Sequence, residues 1–270
     1  MIQPSVTISL VEQARGGPFV FWGELEAACR TAKQIGFTAV EIFAPSAESL
    51  RKLSLQTLLD AEGLQLAALG TGAGWVLHRR HLVSPLAAER REAEEFIRTI
   101  IDQAGEFGAM AIVGSMQGSF GVEVDRETAL EFLADALTRL GEYARQYGVP
   151  LLYEPLNRYE TNLINTLAAA SVLLDSLETD NVRLLADLFH MNIEEPNIAA
   201  ALRAAGSRIG HIHFVDSNRR AAGLGHFDYG PIAEAIVEIH YAGYLSAEAL
   251  PLPSSQQAAE QTMATFRKYF

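Results

Sequence analysis

Residues 149–187 read VPLLYEPLNRYETNLINTLAAASVLLDSLETDNVRLLAD. Two short apolar runs, 149–154 and 182–187, bracket a helix-like stretch, the pattern of a β-strand, a crossover helix and a second, parallel strand. The same unit continues in both directions. Further strands are expected over 5–10 (SVTISL), 38–43 (TAVEIF), 64–69 (LQLAAL), 109–114 (AMAIVG), 209–214 (IGHIHF) and 244–248 (YLSAE), each followed by helical periodicity. Ser84 and Pro85 signal one helix start, with Phe96, Ile97, Ile100, Ile101, Ala104 and Phe107 on its apolar face. Asp125 opens another, which carries Leu130, Leu133, Ala134, Leu137 and Leu140 and stops at Gly148. Eight βα units in 270 residues match a closed (β/α)8 TIM barrel, for which about 250 residues is usual. No linker or low-complexity tract interrupts the alternation, so a single domain over 1–270 is expected. Barrels of this kind build their active sites at the C-terminal ends of the strands.

Composition narrows the function classes. With 49% hydrophobic and 20% charged residues the chain can bury a sizeable core. Twenty-one Lys and Arg against 33 Asp and Glu give a net charge of −12, which repels a phosphate backbone and argues against a nucleic-acid partner. The single cysteine, Cys29, excludes an intrachain disulfide and a Cys-rich zinc site. The stretch MIQPSVTISLVEQ lacks the basic and long apolar regions of a signal peptide, and no run of about 18 apolar residues occurs. A soluble cytoplasmic protein with no membrane partner is expected.

The last four strands each finish on a residue that can bind a metal or move a proton: Glu154, Asp187, His213 and Glu248, spaced by 33, 26 and 35 residues. Side chains two apart along a strand share a face, so all four can point into the barrel mouth. Three carboxylates converging there repel one another, and no strand-end lysine or arginine is placed to neutralise them. A divalent cation would. Three oxygens and one imidazole suit Mn2+, Mg2+ or a similar ion with open positions for two neighbouring substrate oxygens. His211, one layer below His213, reads as a hydrogen-bonded core histidine. Glu41 ends the second strand, where capping a loop and touching substrate are equally open. His78, Arg79, Arg80 and His81 read as a solvated basic loop, with attraction of a sugar phosphate as the other reading.

The stretches Glu154–Thr166 (EPLNRYETNLINT), Asp187–Glu195 (DLFHMNIEE) and Gly210–Gly225 (GHIHFVDSNRRAAGLG) together resemble the xylose-isomerase-like barrel superfamily. Within it they are most similar to ketose 3-epimerases of the D-tagatose and D-psicose type. The resemblance implies that Glu154 and Glu248 bind a divalent metal and also act as the acid/base pair, with Asp187 and His213 completing the coordination. It implies Mn2+ first, with Mg2+, Co2+ or Zn2+ as alternatives. Contacts to substrate oxygens fall on Glu160, His190 and Arg219, while Asn157 and Arg158 could equally tie a loop. A small-molecule sugar or sugar phosphate is the implied partner, and a homo-oligomer the implied assembly.

The chain departs from the pattern in places. Tyr229 stands after Gly223 and Gly225 where the family often has tryptophan, which puts substrate packing there in doubt. Glu248 lies in Ala-Glu-Ala where Met-Glu-Pro is usual. Gly70–Trp75 (GTGAGW) is expected as a flexible glycine turn, with Trp75 either a pocket wall or packing under a loop. The implied chemistry is removal of a proton beside a carbonyl by one glutamate, through an enediolate, and its return by the other. Return to the opposite face of the same carbon is epimerisation, and return to the neighbouring carbon is aldose–ketose isomerisation. Loss of a hydroxyl is dehydration, as in the inosose dehydratases, which look similar at these ligands. Apurinic endonucleases share the ligands but add histidines in the third and fourth strand loops, which read GTGAGW and GSMQGSF here.

Overall fold

The computed structural model describes residues 1–270. Its strands are β1 (Gln3–Ser9), β2 (Phe21–Trp22), β3 (Ala39–Phe43), β4 (Gln65–Gly70), β5 (Met110–Val113), β6 (Leu151–Tyr153), β7 (Val182–Asp187), β8 (Ile209–His213) and β9 (Tyr244–Ala247). β3 lies parallel to β1, each of β4 to β9 lies parallel to its predecessor, and β9 pairs with β1 from Gln3↔Tyr244 to Val6↔Ala247. That closure joins eight strands into the (β/α)8 TIM barrel expected from the alternation. The extra strand, β2, was not legible in the sequence. β9 stops opposite Val6, so Ile8 and Ser9 are left to pair with Phe21 and Trp22.

Two cores follow from the period of two. Outward residues such as Val6, Ile8, Val40 and Ile42 pack against the helices, whose buried faces repeat every three to four positions. The helix Ala87–Gly105 buries Phe96, Ile97, Ile100, Ile101 and Ala104, and Arg126–Ala144 buries Leu133, Leu137 and Leu140. Asp125 caps the latter by accepting from the Thr128 amide at 2.9 Å. Since Leu86 takes the N-cap place, Ser84 lies two positions further out than expected. Its Oγ accepts from the Leu86 amide, and the helix proper begins at Ala87. The glycine turn expected over 70–75 is shorter than its glycines suggest, because Ala73–His78 is helical.

The barrel interior is divided. On β4 to β7 it is apolar, a separate cluster of Ala68, Ile112, Leu152 and Leu185. On β8, β9, β1 and β3 it is polar, with His211, Ser246, Ser5, Thr7 and Glu41 all buried. The apolar half supports the strands that end in Glu154 and Asp187. Leu185→Ala is therefore expected to destabilise the fold by about 2–5 kcal/mol, the range for truncating a buried leucine, seen as a lower urea midpoint at an unchanged slope.

Candidate active site

Strand direction brings the four strand-end residues to one place. The ligand-capable atoms of Glu154, Asp187, His213 and Glu248 all lie within 4.8 Å of one another. His213 Nδ1 is 3.0 Å from Asp187 Oδ2, 3.5 Å from Glu154 Oε1 and 3.6 Å from Glu248 Oε2. Their neighbours hold them there. Asp187 is the N-cap of the short helix Leu188–Glu194: its Oδ1 accepts from the amides of Phe189 (2.7 Å) and His190 (3.0 Å), which leaves Oδ2 for the site. Glu154 fits because residue 114 is glycine; a Cβ there would come within 2.4 Å of Glu154 Oε2. Gln117 donates to the carbonyls of Gly114 and Glu154, both at 3.0 Å, and so fixes the two strand ends to each other.

Behind His213 stands Glu41, whose part is larger than its sequence position suggests. His213 Nε2 lies 3.1 Å from Glu41 Oε1, and His211 Nε2 lies 2.8 Å from Glu41 Oε2. A carboxylate accepting the Nε2 protons fixes the His213 tautomer and leaves Nδ1 free as a ligand, an arrangement that raises ligand basicity. His211 is a hydrogen-bonded interior histidine, as expected. Glu41→Gln is expected to weaken Mn2+ binding about 10–100-fold, measured by calorimetric titration, with the circular dichroism spectrum retained.

Charge dominates the site. Burial pushes the Glu248 carboxyl up to about 8, with Glu154 and Asp187 adding to the rise against His213 and Arg219. Burial opposes a charged His213, yet Glu248, Glu41, Asp187 and Glu154 around it hold its pKa well above the usual histidine value. Burial alone would also raise Asp187 and Glu41, but His190 and His213 hold the first below the ordinary carboxylate range, and His213 and His211 the second. These are the marks of acids crowded together. The donor set, three oxygens and one imidazole nitrogen, fits a hard or borderline divalent cation, since adjacent ligands on an ion about 2.1 Å away stand roughly 3 Å apart.

The other expected residues also meet here. His190 is 2% exposed, not the solvated loop histidine that its position alone suggests. Asn157 approaches its Nδ1 with the backbone amide at 3.3 Å and Nδ2 at 2.7 Å, which assigns the ring proton to Nε2. That nitrogen is buried, has no partner, and lies 3.8 Å from Glu154 Oε1. Asn157 thus orients a site residue, whereas Arg158 ties the loop to Glu194.

Arg219 supplies a counter-charge from outside the strands. No strand end supplies a basic residue, but the loop after β8 folds Arg219 back over the mouth. It bridges Glu248 and Glu160, each at 3.1 Å, and its guanidinium lies 4.7 Å from the Phe189 ring centroid. Tyr229, where substrate packing was in doubt, lies outside the site. It is buried, donates from its hydroxyl to the Val215 carbonyl at 3.0 Å, and is not part of the cavity wall. The site opens into a cavity of about 660 Å³ whose wall includes Trp75.

Comparison with known proteins gives the family and the fold. The profile of the xylose isomerase-like TIM barrel family matches residues 29–269. The chain is 32% identical over 156 residues to L-ribulose 3-epimerase of Mesorhizobium japonicum, spanning 57% of this chain and 52% of the relative. It is 28% identical to D-psicose 3-epimerase of Ruminiclostridium cellulolyticum, over 80% of this chain and 74% of that one. It is also 29% identical to 3-dehydro-D-guloside 4-epimerase of Escherichia coli, over 81% and 84% respectively. In three dimensions a D-psicose 3-epimerase from Clostridium cellulolyticum H10 shares the fold, with a TM-score of 0.80, 21% identity and coverage of 99% and 98%. No helix is long and apolar enough to cross a membrane.

Proposed function

Because the chain belongs to the xylose isomerase-like TIM barrel family, we propose that it is a divalent-cation-dependent carbohydrate epimerase, acting as one domain over 1–270. The observation that carries this reading is the convergence of Glu154 and Glu248, the residues directly after β6 and β9, on the point marked by His213 Nδ1. Three relatives named as epimerases of sugars or glycosides support the reaction class. Glu154, Asp187, His213 and Glu248 would hold the cation, Mn2+ by preference. Bound there, it supplies positive charge to stabilise the negative charge that develops on two neighbouring substrate oxygens.

The chain's own groups do the rest. One of the two glutamates takes the proton from the carbon beside the ketone, and the other returns a proton to the opposite face. His190 presents its Nε2 proton to a substrate oxygen, held in aim by Asn157. Arg219 and Glu160, paired across the mouth, bind outer hydroxyls and help to keep water from the reacting carbon. Burial of Glu154 and His190 in the site strengthens these interactions.

The test is incubation of the Mn2+-loaded protein with ketoses in D2O. Deuterium at the epimerised carbon, in product and recovered substrate, is the expected result. Net loss of water would instead assign the dehydratase chemistry.

A further inference from the structure

The cavity is larger than the chemistry at its floor requires. A six-carbon ketose has about a dozen heavy atoms and, at roughly 15–20 Å³ per close-packed atom, occupies about 200 Å³. The cavity holds about 660 Å³. Its inner end is the polar cluster already described, and its outer end is a different surface. Phe19 and Phe43 stack there with centroids 4.7 Å apart and planes 24° from parallel. Trp75 completes the wall, its ring pinned by the Arg79 guanidinium 5.0 Å from the centroid.

The outer space is kept clear by the backbone. A Cβ on Gly72 would come within 2.9 Å of both Phe43 and Ser115 Oγ, and one on Gly70 within 3.0 Å of Phe43. Glycine at these two positions lets the Phe43 ring pack closely against the end of β4. Trp22 packs edge-on against Phe19 at 5.4 Å, and β2 hydrogen-bonds that segment to β1, so the aromatic wall is part of the barrel.

Charge decides what can lie on that wall. Among lining residues the carboxylates are Glu41, Glu154, Glu160 and Glu248, and Arg219 is the only lysine or arginine. Both of its terminal nitrogens are engaged by Glu160 and Glu248. Arg79 and Arg80 line a neighbouring surface pocket with His78, Glu89 and Glu92, and His81 borders both that pocket and the cavity. A phosphate at the outer end would therefore meet aromatic rings and a net negative lining, with Arg219 engaged by two carboxylates and Arg79 packed on the Trp75 ring. A neutral ring with an apolar face would find a matching surface.

We propose that the ketone-bearing sugar reaching Glu154 and Glu248 carries a neutral second ring, seated on Phe19, Phe43 and Trp75, so that the substrate is a two-ring keto-sugar and not a free or phosphorylated ketose. The inference rests on the epimerase reading and names the substrate class of that same site. The reaction remains a proton exchange: the C–H electron pair stays with the substrate as the enediolate forms, a proton returns from the opposite carboxylate, and no oxidant is needed. Two chemistries meet the description. A second ring linked through the anomeric carbon locks that carbon, so the ketone must lie at another ring position and an oxidation of a ring hydroxyl must supply the substrate. A second ring linked elsewhere leaves a reducing ketodisaccharide.

The experiment compares kcat/KM of the Mn2+-loaded protein in D2O for D-fructose, D-fructose 6-phosphate, isomaltulose and phenyl 3-keto-β-D-glucoside. At least a tenfold advantage of one of the last two over both single-ring ketoses is expected, and which one wins assigns the linkage. Trp75→Ala and Phe43→Ala should lower kcat/KM for the preferred two-ring probe about tenfold and by a larger factor than for D-fructose, with Trp75→Phe retaining most of the advantage. Equal or better turnover of D-fructose or its phosphate overturns the proposal while leaving the epimerase reading intact. So does an equal loss for all probes in the two alanine variants. Absence of exchange with every probe overturns both readings.

Discussion

Glu248→Gln is expected to lower conversion between the two epimers by about 10²–10⁴-fold at saturating Mn2+, the usual weight of a positioned acid or base. Its isotope pattern is more telling than its rate. With Glu154 intact, one epimer still presents its proton to a base and exchanges it with solvent, but no group remains to deliver a proton to the other face. Deuterium should thus enter one epimer without inversion and fail to enter the other. Glu154→Gln should show the mirror pattern. Mass spectrometry of recovered substrate reads both, and full inversion in either variant would exclude the two-glutamate mechanism.

The second large effect concerns the acids as a group. In the protein stripped of cations, Glu248 is pushed up to about 8 and His213 stands well above its usual value. Folded Glu248 binds more protons than in the unfolded chain from about pH 4.5 upward and His213 from about 6.5 upward, so stability falls as pH rises toward 8. Asp187 and Glu41, held low, act in the opposite sense only at acid pH, where stability is lost as they protonate. A cation that replaces those protons should bind more tightly at pH 8 than at pH 6. At hundredfold excess over its Kd it contributes about 2.7 kcal/mol, or roughly 5–10 °C in Tm for a chain of this size. Differential scanning fluorimetry with EDTA, then Mn2+, at the two pH values checks this. Equal shifts at both would mean that the cluster is not where the ion binds.

The strands and the ligand-capable residues at their ends were legible because they depend on local pattern: apolar runs, the period of two, and acids where those runs stop. What was not legible depends on closure of the barrel. Glu41 meets His211 and His213 across 170 and 172 residues of chain, so nothing near it in sequence announces the contact. Arg219 sits six residues past β8 in a loop whose return over the mouth no periodicity reveals, and its positive φ of 59° is part of that turn. The burial of His190 rests on helix Leu188–Glu194, which is only two turns long and is set by a cap at Asp187, too short to show a periodicity. β2 escaped notice because two residues cannot show alternation.

That cap at Asp187 makes one side chain serve folding and chemistry through separate atoms. Oδ1 belongs to the helix that carries His190, and Oδ2 to the cluster. Asparagine caps helices about as well as aspartate, so Asp187→Asn should keep the scaffold and its thermal stability without cation while abolishing tight Mn2+ binding. The position is thus a point at which catalysis can be switched off in an otherwise native protein, giving an inert form in which substrates could be trapped on the aromatic wall unreacted.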